Sequence, residues 1–93
     1  MSELKDRPKF LSTNALRGFL EENGRIEYEV GFLEEKRVWF VWGVFPDGIR
    51  QKVYVGRTGE ECIIKSPAGL VAHHLTYFPN AESVTIPLKF IPG

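Results

Sequence analysis

The sequence predicts an α+β fold: an antiparallel meander sheet of four to five strands with two helices on one face, in the order α-β-β-β-(β)-α-β. Three observations lead there. Segments 25–32, 37–45 and 49–56 carry strand patterns in succession, joined by short polar or turn-forming links. Segments 11–24 and 66–78 carry helix caps and apolar residues at helical spacing. At 93 residues, 43% hydrophobic and 26% charged, the chain suffices for one domain and is apolar enough to fold. Residues 1–10 read as an N-terminal arm and residues 11–93 as a single α+β domain.

The first helix is LSTNALRGFLEENG. Ser12 or Thr13 can cap its first N–H groups, and Leu11 and Leu16 then stand at hydrophobic-staple spacing. Leu16, Phe19, Leu20 and Asn23 form a narrow stripe, and Gly24 is placed to end the helix. RIEYEVGF switches to period two, with Ile26, Tyr28, Val30 and Phe32 on one face and Arg25, Glu27 and Glu29 on the other. LEEK is a short polar link to RVWFVWGVF, so the two strands form a hairpin.

RVWFVWGVF is apolar on both faces, as a central strand requires. Either Val38, Phe40, Trp42 and Val44 or Trp39, Val41 and Phe45 face the helices, and the pattern leaves both open. Pro46-Asp47-Gly48 is a turn: Pro presets φ, Asp bonds nearby backbone, and Gly takes the left-handed position. IRQKVYVG follows, with Val53 and Val55 inward and Tyr54 outward beside Lys52. RTGE turns, and ECIIK reads as a short further strand.

The second helix is SPAGLVAHHLTYF, with Ser66 as N-cap and Pro67 in the first turn, where a missing N–H costs nothing. Leu70, Val71, His74, Leu75 and Phe78 line one face, and Pro79 stops the helix. SVTIPLKF reads as a last strand with Val84, Ile86, Leu88 and Phe90 inward. Pro87 confines it to an edge.

Composition narrows the function classes. Twelve basic and twelve acidic residues cancel, so the whole chain exerts no pull on nucleic acid or anionic membrane. One cysteine, Cys62, excludes an internal disulfide and any Cys-x-x-Cys zinc site. The N-terminal MSELKDRPKF is charged where a signal peptide would be apolar, and the expected compartment is cytoplasmic. The charge is nevertheless uneven. Residues 21–35 hold six glutamates against Arg25, whereas 48–59 hold Arg50, Lys52 and Arg57 and no acid. The two stretches are expected to be solvated faces of the sheet, with a dipolar partner-orienting surface as the functional alternative.

Catalytic constellations do not assemble from the sequence. His73 and His74 point about 100° apart on a helix, so they do not share a metal; His74 falls on the apolar face and His73 on the more exposed side. Cys62 sits beside Glu60 and Glu61, which would raise its pKa and dull it as a nucleophile. The expectation is a chain without enzymatic activity, cofactor or metal.

Two family resemblances touch the chain. VWGVFPDGIRQKVYVGRTG resembles the paired strands of GIY-YIG endonucleases, with Tyr54-Val55-Gly56 in the place of the second signature tripeptide and Val41-Trp42-Gly43 where Gly-Ile-Tyr would stand. That resemblance implies a degenerate GIY-YIG-like nuclease fragment. The order α-β-β-β-α over 12–78 is similar to the double-stranded RNA-binding domain, with SPAGLVAHH where that family carries a Ser-Lys-Lys-x-x-Ala-Lys pattern.

The remaining positive feature is an aromatic surplus on a small sheet. If Trp39 and Phe45 lie away from the helices, they adjoin Arg50, Lys52 and Tyr54, with Arg57 beyond. Trp, Tyr and Arg dominate binding hot spots. The sequence therefore reads first as a small non-enzymatic binding module, an adaptor, regulator or inhibitor, that recognises a protein partner or a second copy of itself. The alternative is a nucleic-acid-binding domain using the basic and aromatic patch on the third strand.

Overall fold

Leu11 begins the part of the chain that the computed structural model describes, residues 11–88; the expected arm at 1–10 and the predicted strand's end at 89–90 lie outside it. The elements are β1 (Leu11–Ser12), a 3-10 turn (Thr13–Ala15), α1 (Leu16–Glu21), β2 (Arg25–Leu33), β3 (Lys36–Val44), β4 (Arg50–Tyr54), β5 (Ile63–Ile64) and α2 (Pro67–Tyr77). The fold is α+β, with a mixed five-stranded sheet and two helices.

Local chemistry explains most of these elements. Ser12 caps the first helical turn, its Oγ accepting from Ala15 N–H at 3.3 Å. Ser66 caps α2 in the same way from Gly69 N–H at 3.0 Å, with Pro67 in the first turn. In the β3–β4 turn Gly48 takes φ of 92°, and Asp47 Oδ1 accepts from Ile49 N–H at 3.1 Å, as the Pro-Asp-Gly signature requires. At the end of α1 it is Asn23, at φ of 75°, that takes the left-handed position assigned to Gly24. Gly24 serves packing instead: a Cβ there would sit 2.4 Å from the Phe19 ring.

The sheet is not a simple meander. β2 and β3 pair one for one along nine residues, from Arg25↔Val44 to Leu33↔Lys36. The other side of β3 is shared. β4 pairs with Trp42–Val44, then veers away, and β5 takes over at Trp39 and Phe40. β1 adds parallel to β4, with Leu11↔Val53 and Ser12↔Tyr54. The expected all-antiparallel order fails at β1 because Leu11 does not staple a helix. It is 3% exposed, beside Val53 and against Gly43, where a Cβ would lie 2.4 Å from its Cδ2.

The predicted last strand is also corrected. Residues 83–88 join no ladder, although Val84 and Ile86 do pack against the core. Pro87 lacks an N–H to donate, and its carbonyl accepts from Trp39 Nε1–H at 2.6 Å. Leu88, expected inward, is 55% exposed. On α2, Leu70 is fully buried while Val71 and Leu75 are exposed, so the helix is rolled relative to the expected stripe and sets His73 and Tyr77 toward the sheet.

One core results. Leu16 and Phe19 of α1 and Leu70 of α2 meet Val30, Trp39, Val41, Val53 and Ile64 of the sheet. Full burial of each such side chain stabilises the fold by about 1.5–3 kcal/mol. Arg17 ties the helices together, donating to the Thr76 carbonyl at 3.2 Å and lying 5.4 Å from the Tyr77 ring centre. No helix among the described residues is long and apolar enough to cross a membrane.

Candidate functional site

The parity of β3 decides which aromatics meet solvent. Trp39 and Val41 belong to the core, so Phe40 and Trp42 point to the outer face, away from the helices. The register then places Glu27 and Lys52 on either side of Trp42, and Glu29 and Ile63 on either side of Phe40. Val44, between Arg25 and Arg50, and Val38, opposite Gly31, are buried at the ends of this row.

Trp42 is the centre of the outer face. Its Nε1–H donates to Glu29 Oε1 at 2.8 Å. The Arg50 guanidinium lies 4.3 Å from its ring centre and the Lys52 ammonium 5.1 Å. Lys52 also lies 4.7 Å from the Phe40 ring centre. Each cation is neutralised in place: Arg50 pairs with Glu27 at 3.3 Å and Lys52 with Glu61 at 3.4 Å. These partly exposed contacts are individually weak, on the order of 0.5–1 kcal/mol each, but together they hold the indole in one orientation. Gly31 provides the space for Phe40, whose ring would stand 2.5 Å from a Cβ at that position.

The predicted site residues divide accordingly. Arg50, Lys52 and Tyr54 alternate along β4 onto the outer face, as expected. Trp39 and Phe45 do not join them. Trp39 is 2% exposed in the core, and Phe45 packs edge-on to Phe19 with ring centres 4.9 Å apart. Both odd-numbered rings share the side of Val41, because alternation in a strand admits no exception without a bulge. Arg57 stands in the loop after β4, where Gly56 N–H donates to Thr13 Oγ1 at 3.1 Å, rather than in the β4 row.

Sequence reasoning missed Phe40, Trp42, Glu27, Glu29 and Glu61 as members of the set. A signal existed. Once Glu34 and Glu35 are the two turn residues, Leu33 faces Lys36, Glu27 faces Trp42, and the polar face of β2 drags Trp42 outward. Glu-Glu is a poor match for a turn in which both residues need positive φ, so the register was not legible.

On the helix side a second cluster gathers Tyr28, His73, His74, Tyr77 and Cys62. Tyr28 Oη lies 2.9 Å from His74 Nδ1, and the hydroxyl donates when the imidazole proton is on Nε2. His73 packs against Tyr28 and Tyr77, with ring centres 6.1 and 5.1 Å away. His73, expected on the more exposed side, is half-buried, as is His74. Both ring nitrogens of His73 are buried and find no hydrogen-bond partner among the described residues. Burial, then the neighbouring His74, lowers its pKa. Burial pushes the Tyr28 phenol up to about 12, with Cys62 and Tyr77 adding to the effect, and burial also raises the Cys62 thiol. The thiol is thus dulled by the core and not by its glutamate neighbours. Among the described residues no three His, Cys, Asp or Glu side chains gather as metal ligands.

Set against known proteins, the chain matches no protein-family model, no curated protein and no solved structure.

Proposed function

We propose that this chain is a small non-enzymatic binding module that recognises a protein partner through the outer face of its sheet. Trp42 is the anchor, flanked by Phe40, Arg50, Lys52 and Tyr54. The observation that carries the reading is the Trp42 clamp: a half-buried indole away from the core, oriented by Glu29, Arg50 and Lys52. A preoriented aromatic ringed by polar groups is the composition of an interface hot spot, because little conformational freedom is lost on docking.

Charge favours a protein over a nucleic acid. Arg50 and Lys52 are matched by Glu27 and Glu61 on the same face, which offsets the attraction to phosphate that a basic patch would exert. The cluster of Tyr28, His74 and Cys62 is suited to packing: its thiol and phenol are held protonated by burial.

The test is affinity capture from the native cell with the full chain and with Trp42→Ala, each with and without nuclease, read by mass spectrometry. A protein retained by the full chain, resistant to nuclease and lost with Trp42→Ala, supports the reading. Capture that disappears with nuclease favours the nucleic-acid alternative. Capture untouched by Trp42→Ala, in a variant whose unfolding is still cooperative, rejects the outer face as the site.

A further inference from the structure

We infer that the partner docks as an extended strand on the edge of β2 that no other described strand pairs, presenting basic side chains to the outer face and apolar ones to the helix side. This rests on the reading of the chain as a protein-binding module and names the form its partner takes.

The edge is unusually complete. Among the described strands β2 pairs with β3 alone, over nine residues and without a bulge. Its hairpin fixes which backbone groups are free. Glu34 and Glu35 form a two-residue turn with φ of 53° and 67°, so Leu33 and Lys36 are the hydrogen-bonded pair that closes it. Alternation then directs the amides of Gly31, Glu29, Glu27 and Arg25 to β3. Those of Phe32, Val30, Tyr28 and Ile26 point outward. Proteins guard such edges with charged side chains, proline, bulges, short strands or inward charges. β2 carries only the outer-face charges of Arg25, Glu27 and Glu29 and no proline, bulge or inward charge, whereas the opposite edge of the sheet is the two-residue β1.

The surroundings specify the occupant. A groove of about 480 Å³ opens between Ile26 and Tyr28 on one side and Ser83, Val84 and Pro87 on the other, with His74 also lining it. That volume lies in the range of ligand pockets, about 300–1,000 Å³, and accepts apolar side chains on the helix side of an added strand. Phe32, 53% exposed, extends the same apolar row. On the outer side the added strand would lie beside Glu29, whose carboxylate meets only the neutral Trp42 N–H among the described contacts. Glu27 already pairs with Arg50, and Arg25 stands at the far end, so lysine or arginine is favoured opposite Glu29. A second copy fits less well: antiparallel pairing about Glu29, the middle of β2, sets that carboxylate against itself. Strand addition uses main-chain hydrogen bonds for affinity and alternate side chains for selectivity.

The experiment measures amide hydrogen exchange in the full chain by NMR, with a capped nonapeptide of alternating lysine and valine as probe. Exchange at Tyr28, Val30 and Phe32 is expected to slow at least tenfold, with Glu27, Glu29 and Gly31 unchanged. The same peptide methylated on alternate backbone nitrogens should give no protection, and a glutamate–valine analogue should bind at least tenfold more weakly. Phe32→Pro removes the ring and an outward N–H without touching the ladder to β3 and should weaken binding at least fivefold; Phe32→Ala, which removes the ring but keeps that N–H, should weaken it less. Unchanged exchange at these amides with peptide in excess overturns the inference. So does protection that grows with protein concentration alone, which seats a second copy there. A cellular partner lost with Trp42→Ala yet indifferent to Phe32→Pro ends the strand-addition inference and leaves the outer-face reading standing.

Discussion

Trp39 Nε1–H donates to the Pro87 carbonyl at 2.6 Å, joining the central strand to a segment that belongs to no sheet. The indole is 2% exposed, so its N–H has no recourse to water. This bond holds residues 83–87 over the core in place of a ladder. Trp39→Phe keeps most of the ring but strands the carbonyl. It is expected to cost about 2 kcal/mol in urea unfolding, with the methyl NMR shifts of Val84 and Ile86, which pack on the core, changing most.

The two tryptophans should behave oppositely. Trp39→Ala opens a cavity in the core and is expected to cost about 3–5 kcal/mol. Trp42→Ala removes a half-buried outer ring and is expected to cost no more than about 1–2 kcal/mol while removing partner binding. Equilibrium unfolding and affinity capture on both variants check the contrast.

The β2–β3 turn is a site for stabilisation. Glu34 and Glu35 both occupy the left-handed region, which costs non-glycine residues roughly 1–2 kcal/mol each. Glu34→Asn with Glu35→Gly matches the turn's preference and should raise stability by about 1–2 kcal/mol. Thermal and urea midpoints should both rise, with the fold unchanged by NMR.

His73 sets the acid limb of stability, and Tyr28, with Cys62 and Tyr77 shifted in the same direction, sets the alkaline limb. The His73 pKa lies below its ordinary 6.5 in the fold, so the unfolded chain takes the proton first. Stability is therefore full above 6.5 and falls as pH drops below it; His73→Phe should flatten that acid limb. Tyr28 is shifted from 10.0 to about 12, so the unfolded chain ionises first and stability falls as pH rises through that interval. Tyr28→Phe should reduce the alkaline loss. Urea midpoints across pH 5–11 decide both.

Gly31 links packing to the candidate interface. A Cβ there meets the Phe40 ring at 2.5 Å, so Gly31→Val forces that ring off the strand. Overpacking of this kind costs about 1–3 kcal/mol. Reduced protection of Phe40 and weaker partner capture are the expected signs, and unchanged Phe40 ring shifts by NMR would contradict them.

The local grammar of the chain was readable from residue order alone. Ser12 and Ser66 cap turns, Pro46-Asp47-Gly48 reverses the chain, and Ile26, Tyr28 and Val30 alternate inward, because each outcome depends on neighbours within a few positions. Tertiary structure decided what those neighbours leave degenerate. RVWFVWGVF is apolar on both sides, so the choice between Trp39 and Trp42 for the core waited on contacts from distant segments. Leu11 and Phe19 close on Gly43, and Pro87 reaches Trp39 across 48 positions. The same long-range packing drew Leu11 into a parallel strand and kept residues 83–87 out of the sheet. Alternation propagates a single decision along a whole strand, and here that decision turned one tryptophan into core and the other into surface.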